Sequence, residues 1–225
     1  MASSLDLQEQ EQVDALKAFW KQYGNLVTWG LIAVLAAFAA WNGWNWYQRD
    51  QGLKAGAMFD ELERAAVAGD SDRTARVFTD LKQRYPGTAY AEQGGLLAAR
   101  VLYEKGKPDD ARATLAWVAD NATETEYRTV ARLRLAGVML DAKQYDDALK
   151  QLDAAKAEGF EALVADRRGD ILLAQGKKDE ARAAYQAAWK AMDAKLDYRR
   201  LIDAKLTALG AAPEAAAAAA SGAAK

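Results

Sequence analysis

The chain has 225 residues, with 30 basic and 32 acidic side chains mixed along it, a formal net charge of −2, and neither cysteine nor histidine. That composition excludes disulfides, thiolate metal sites, cysteine nucleophiles, serine–histidine triads and imidazole acid–base chemistry, and so argues against an enzyme. No basic block occurs, which argues against nucleic acid as a partner.

A 51% hydrophobic content is enough for a real core. Prolines are few, at positions 86, 108 and 213, and alanine, leucine, lysine, glutamine and arginine dominate. The expected fold class is all-α.

In chain order the first element is an arm, residues 1–22. Val13, Leu16, Trp20 and the adjoining Tyr23 fall on one helical face, with Glu11, Asp14, Lys17 and Lys21 mostly opposite. Such a face suits a helix lying on a membrane surface, or a simple extension of the helix that follows. From Gln22 to Gln48 no residue is charged. As a helix this stretch covers about 40 Å at ~1.5 Å per residue, more than the ~30 Å of a bilayer's hydrocarbon core. Trp20 and Tyr23 mark one end, and Trp41, Trp44, Trp46 and Tyr47 the other. Indole and phenol rings are apolar in body and polar at the tip, so they settle at the membrane–water boundary. The pattern predicts a transmembrane helix over 23–47.

Lys17 and Lys21 on one side of that helix face Arg49 and Lys54 on the other. Positive charge near the membrane decides topology, and here it ties. Gly30, Ala33, Ala37 and Ala40 make a small-residue face along the helix, a candidate contact for another membrane helix. Asn42 and Asn45, near the exit, can bond a partner helix or simply wet the headgroup zone.

After the anchor, short turn signals begin at Gly69, Gly106, Lys143 and Gly176, at intervals of 37, 37 and 33 residues. Each joins the end of one helix to the start of another. Glycine or lysine closes the first, and Asp109, Asp146 or Asp179 supplies a cap or first-turn carboxylate for the second. Small residues recur at matched offsets: Ala111, Ala148 and Ala181 open the second helices, and Ala99, Ala136 and Gly169 lie twelve residues before them. Leu115, Leu152 and Tyr185 follow at the next large position, then Val118, Ala155 and Ala188. Small residues let antiparallel helices approach, and the large one fills the groove between units. This is tetratricopeptide logic, with a usual period of about 34 residues. Residues 51–84 read as a degraded further unit, and a last helix from about Tyr198 to Leu209 caps the stack. The repeat domain is expected over 48–210. Beyond it, the alanine-rich tail over 211–225 offers no face to bury and is expected to be disordered.

Two passages carry a family resemblance. One is Glu11-Gln12-Val13-Asp14-Ala15-Leu16-Lys17-Ala18-Phe19-Trp20, directly before the anchor. The other is Val164-Ala165-Asp166-Arg167-Arg168-Gly169-Asp170-Ile171-Leu172-Leu173-Ala174-Gln175-Gly176, followed by Ala181-Arg182-Ala183-Ala184-Tyr185. Together with the order arm, anchor, repeats, the chain resembles the YfgM-type ancillary subunit of the bacterial SecYEG translocon over about residues 8–210. The resemblance implies a single-pass inner-membrane protein with a cytoplasmic N-terminus and periplasmic repeats. It also implies association with the translocon and with the membrane-anchored periplasmic chaperone PpiD, and a link to envelope stress control through a response regulator. No catalytic residue, cofactor or metal is implied.

Arg132, Arg134, Asp166, Arg167 and Asp170 fall on first helices of their units, which line the concave face of a repeat stack. Neighbours on a helix lie three or four apart, so at most half of the charges in these runs point into the groove. Salt bridges within the stack are the other use for them.

The expected function is a membrane-anchored adaptor at the translocon, its repeats holding a chaperone or an emerging chain. The alternative starts from Ala37-Phe38-Ala39, which looks like a small-x-small cleavage site. Cleavage after about Ala39 would release a soluble periplasmic repeat scaffold for envelope assembly. Against it stands the acidic stretch before the site, opposite in sign to a signal peptide's n-region.

Overall fold

The computed structural model describes residues 7–211. The expected disordered tail lies outside the described residues from Ala212 onward. The described residues are all-α, with no strand among them. The long first helix, α1 (Leu7–Val67), contributes to two compact units divided between Gln51 and Gly52, and each is described by itself.

In the first unit the arm from Leu7 is helical and runs into the apolar stretch without a break, which is the extension reading of the arm. The helix is long and apolar enough to cross a membrane, and almost none of it is buried. Leu26, Trp29 and Trp41 are 74%, 65% and 68% exposed. A contiguous apolar surface of this size needs lipid or a partner helix to cover it. Its backbone polar groups are spent within the helix, which is the condition for a spanning segment.

The second unit is a stack of helix pairs. The C-terminal part of α1 pairs with α2 (Ser71–Arg84). Then follow α3 (Ala89–Glu104) with α4 (Pro108–Asn121), α5 (Thr125–Asp141) with α6 (Tyr145–Asp153), α7 (Glu161–Ala174) with α8 (Lys178–Ala191), and α9 (Tyr198–Ala208). Each second helix also packs on the first helix of the next unit. The core is accordingly layered. One apolar cluster joins α1, α2 and α3, the next α3, α4 and α5, the next α5, α6 and α7, and the last α7, α8 and α9. Trp117 belongs to two layers, meeting Phe78 edge-to-face at 5.5 Å.

The turns follow from the residues that close them. Gly69, Gly106, Lys143 and Gly176 all have positive φ, and each ends its helix with the paired bonds of a Schellman motif. At Lys143, for example, its N–H donates to Leu140 O at 2.9 Å and the N–H of Gln144 to Met139 O at 2.8 Å. Gly210 closes α9 in the same way, so α9 ends as a first helix does. Asp70 caps α2 by accepting from the N–H of Arg73 at 2.9 Å, and Pro108 starts α4, where no N–H is needed. Asp109, Asp146 and Asp179 are first-turn carboxylates rather than caps.

Ala111, Ala148 and Ala181 are fully buried, as are Leu115, Leu152 and Tyr185 to within a few per cent. The match fails at Ala155. Helix α6 stops at Asp153, and Ala155 is a half-buried residue of the following loop rather than a partner of Val118 and Ala188. That loop is tied down from the neighbouring first helix, because Thr129 Oγ1 accepts from the N–H of Ala157 at 3.1 Å. One unit earlier Glu92 does the same, accepting from the N–H of Thr123 at 2.6 Å. A buried polar side chain on α3 and on α5 thus satisfies a linker N–H that would otherwise go unpaired.

Candidate interaction sites: the apolar helix and the repeat groove

Gly30, Ala33, Ala37 and Ala40 all lie in α1, and all are exposed. Spaced three and four residues apart, they share one side of the helix. A Cβ added at Gly30 would meet nothing within 4 Å, so the strip is open to close approach by another backbone. Asn42 is turned back on its own helix, Nδ2 donating to Phe38 O at 2.9 Å.

The repeat groove is a cleft of about 390 Å³ lined by α3, α5 and α7 over Leu115 of α4. It gathers Arg134 and Arg167, two of the five charged residues singled out from the sequence. Arg134 Nη1 donates to Leu96 O at 3.1 Å, which spans α5 to α3. Partial burial in the cleft, and then the charge of Arg100, push the Arg134 guanidinium down from its ordinary pKa. Arg132 points elsewhere, its Nη2 donating to Ala119 O on α4 at 3.3 Å.

Asp166 and Asp170 are not among the residues lining this cleft. They lie one helical turn apart on α7 and hold α9. Lys205 Nζ donates to both oxygens of Asp166 at 2.8 and 2.9 Å and to Asp170 Oδ1 at 2.7 Å. The Tyr198 hydroxyl donates to Asp166 at 2.8 Å, and the Tyr185 hydroxyl to Asp170 at 2.8 Å. Burial first, and then the bond to Asp166, push the Tyr198 hydroxyl up to about 12; burial and Asp170 raise Tyr185 in the same direction. Asp166 is almost wholly buried, and a buried carboxylate needs this cation and these donors. The neighbouring Arg168 also serves the stack, with Nη2 2.7 Å from Asp153 of α6.

Sequence reasoning missed Arg100, Tyr103 and Asp141, which complete the cleft. The signal was available. Arg134 and Arg167 sit at the same offset before their closing turns, and Arg100 sits three residues nearer its own turn, on the same helix face.

Stacked antiparallel pairs with left-handed closing residues define a repeat protein of the tetratricopeptide class, and its first helix is apolar and long enough to cross a membrane. The family model described as a tetratricopeptide repeat-like domain matches residues 17–211. The ancillary SecYEG translocon subunit of Escherichia coli (strain K12) is 33% identical over 184 residues, covering 81% of this chain and 87% of that one. That of Neisseria gonorrhoeae is 30% identical over 207 residues, covering 90% and 98%. The chain belongs to the ancillary SecYEG translocon subunit family. Among solved structures, a MamA RS-1 ArsTM double mutant aligns over 71% of this chain and 90% of that one, with a TM-score of 0.49 and 17% identity. The curated relatives are named as translocon subunits and not as enzymes.

Proposed function

We propose that this chain is a membrane-anchored adaptor of the bacterial Sec translocon. Its apolar helix crosses the inner membrane once, with the N-terminus in the cytoplasm and the repeats in the periplasm. There the repeats hold a membrane-anchored chaperone of the PpiD kind near chains leaving the pore. The observation that carries this is the kinship with the E. coli translocon subunit over most of both chains. Two features support it. The family match begins at residue 17, so it includes the whole apolar stretch, as expected of a retained anchor rather than a cleaved leader. The small face of Gly30, Ala33, Ala37 and Ala40 is bare, as a helix–helix contact requires. Tethering raises the effective concentration of the repeats at the pore, so weak contacts suffice.

The test is crosslinking in intact membranes followed by identification of partners. Translocon subunits and a periplasmic chaperone are expected among the adducts. Ala33→Leu combined with Ala37→Leu should weaken the translocon adduct while leaving insertion intact, because leucine suits lipid but blocks close backbone approach. A chain that crosslinks to neither partner is not an adaptor of the translocon.

A further inference from the structure

The cleft between α3, α5 and α7 brings three guanidinium groups together, one from each first helix: Arg100, Arg134 and Arg167. Like charges gathered over a shared apolar floor repel, and they are relieved by an anion. Two carboxylates, Asp141 and Glu104, also line the cleft, so its three guanidinium groups leave one positive charge in excess. Asp141 accepts the hydroxyl of Tyr103, a bond that holds that hydroxyl above its ordinary pKa. Glu104 stands 3.8 Å from Arg100 in a loose, exposed pair on one helix, an arrangement that contributes little. Asp170, outside the cleft lining, turns Oδ1 to Lys205 and Tyr185 and Oδ2 toward Arg167 at 3.5 Å, a long contact that leaves the rest of that guanidinium free for a second anion. Arg134 has a main-chain carbonyl as partner and, among the described residues, no carboxylate within ion-pair distance. A guanidinium is a planar fork of donors that matches a carboxylate two bonds at a time.

We propose that this cleft docks a short extended acidic segment of a partner protein, with a carboxylate of that segment between Arg100, Arg134 and Arg167 and a neighbouring side chain on the floor of Leu115 and Val138. At about 390 Å³ the cleft lies within the usual range of ligand sites, roughly 300–1,000 Å³, and is far larger than a simple ion needs. Its floor is apolar, which strengthens a charged contact made at the rim. Gly137 keeps the middle open, since a Cβ there would meet only Arg167, at 3.8 Å. The proposal rests on the adaptor reading, for which it names the chemistry of the partner.

The experiment measures fluorescence anisotropy with the full chain in phosphatidylcholine nanodiscs. The probe is a labelled, C-terminally amidated peptide alternating glutamate and alanine, with its glutamine counterpart for comparison. The glutamate peptide should bind at least about tenfold more tightly, and Arg134→Ala should lose about tenfold. Gly137→Leu fills the cleft without removing charge, and should lose as much. Arg112→Ala, outside the cleft, should lose nothing. Equal binding of the two peptides, or binding that both cleft variants leave unchanged, overturns the proposal. So does displacement by inorganic phosphate beyond that of chloride at the same ionic strength, which would make the cleft a simple anion site. Binding that appears only after residues 212–225 are removed would assign the cleft to the chain's own C-terminal segment, and overturns it too. Translocon crosslinking of the same variants separates the two claims. Adducts retained without peptide binding leave the adaptor standing and remove the cleft. Peptide binding without adducts does the reverse.

Discussion

Glycine at position 169 is explained by the residue it faces. In the other two units the matching position is alanine, Ala99 or Ala136, and the large residue opposite is Leu115 or Leu152. Here the large residue is Tyr185, and a Cβ at Gly169 would overlap its ring. Gly169→Ala should therefore cost about 1–3 kcal/mol through overpacking. Gly137→Ala should stabilise by roughly 0.5–1 kcal/mol, because its new methyl group has room and alanine is the better helix former. Denaturant titration of both variants checks the pair, and equal losses would mean that the unit is packed otherwise. Lys143 is the reverse case. It holds φ 59°, the one non-glycine residue with positive φ among those described, at a cost of about 1–2 kcal/mol for an L-residue. Lys143→Gly should raise stability by up to about 1 kcal/mol, part of the relief being offset by the added freedom of the unfolded chain.

At the scale of elements, α9 is held by more than apolar contact. Ile202 and Leu206 enter the last core layer, while Lys205 and Tyr198 meet the buried Asp166. Lys205→Met leaves that carboxylate without its cation and should destabilise the chain by on the order of 3 kcal/mol, seen as an early loss of helix on heating. Alkali acts on the same contact. Both tyrosine hydroxyls ionise at higher pH in the folded chain than in the unfolded one. Their contribution is whole below about pH 10, the ordinary tyrosine value. It is lost as pH rises toward the folded values, about 12 for Tyr198. Absorbance titration of tyrosinate should show a late step near pH 12 that Tyr198→Phe removes.

What was legible before the structure follows from range. A Schellman closure needs only a residue that tolerates φ > 0 and a helix on each side, so the turns at Gly69, Gly106, Lys143 and Gly176 could be read locally. The partners of Asp166 lie 32 and 39 residues away on α9, and nothing near Asp166 announces them. The early end of α6 was hidden for the same reason: Ala154 and Ala155 favour helix by themselves, and a hydroxyl on α5 takes the next loop's N–H instead.

For the whole molecule, the orientation of the apolar helix is a balance of the charges that flank it. Lys17 and Lys21 balance Arg49 and Lys54, so flanking charge alone does not choose. The proposed orientation, with the arm in the cytoplasm, is testable because the chain has no cysteine. One engineered cysteine therefore reports one site. Ala18 in the arm and Ala183 on α8 are both exposed. In intact spheroplasts a membrane-impermeant maleimide should label Ala183→Cys, and should label Ala18→Cys only after permeabilisation. The opposite pattern would invert the proposed topology, and labelled repeats recovered in the soluble fraction, shortened at the N-terminus, would mean that the anchor is cleaved. The charge tie sharpens the test. Arg49→Gln with Lys54→Gln leaves positive charge only on the arm side and should keep the labelling pattern. Lys17→Gln with Lys21→Gln removes the counterweight, so part of the population should invert and Ala18→Cys should become labelled without permeabilisation.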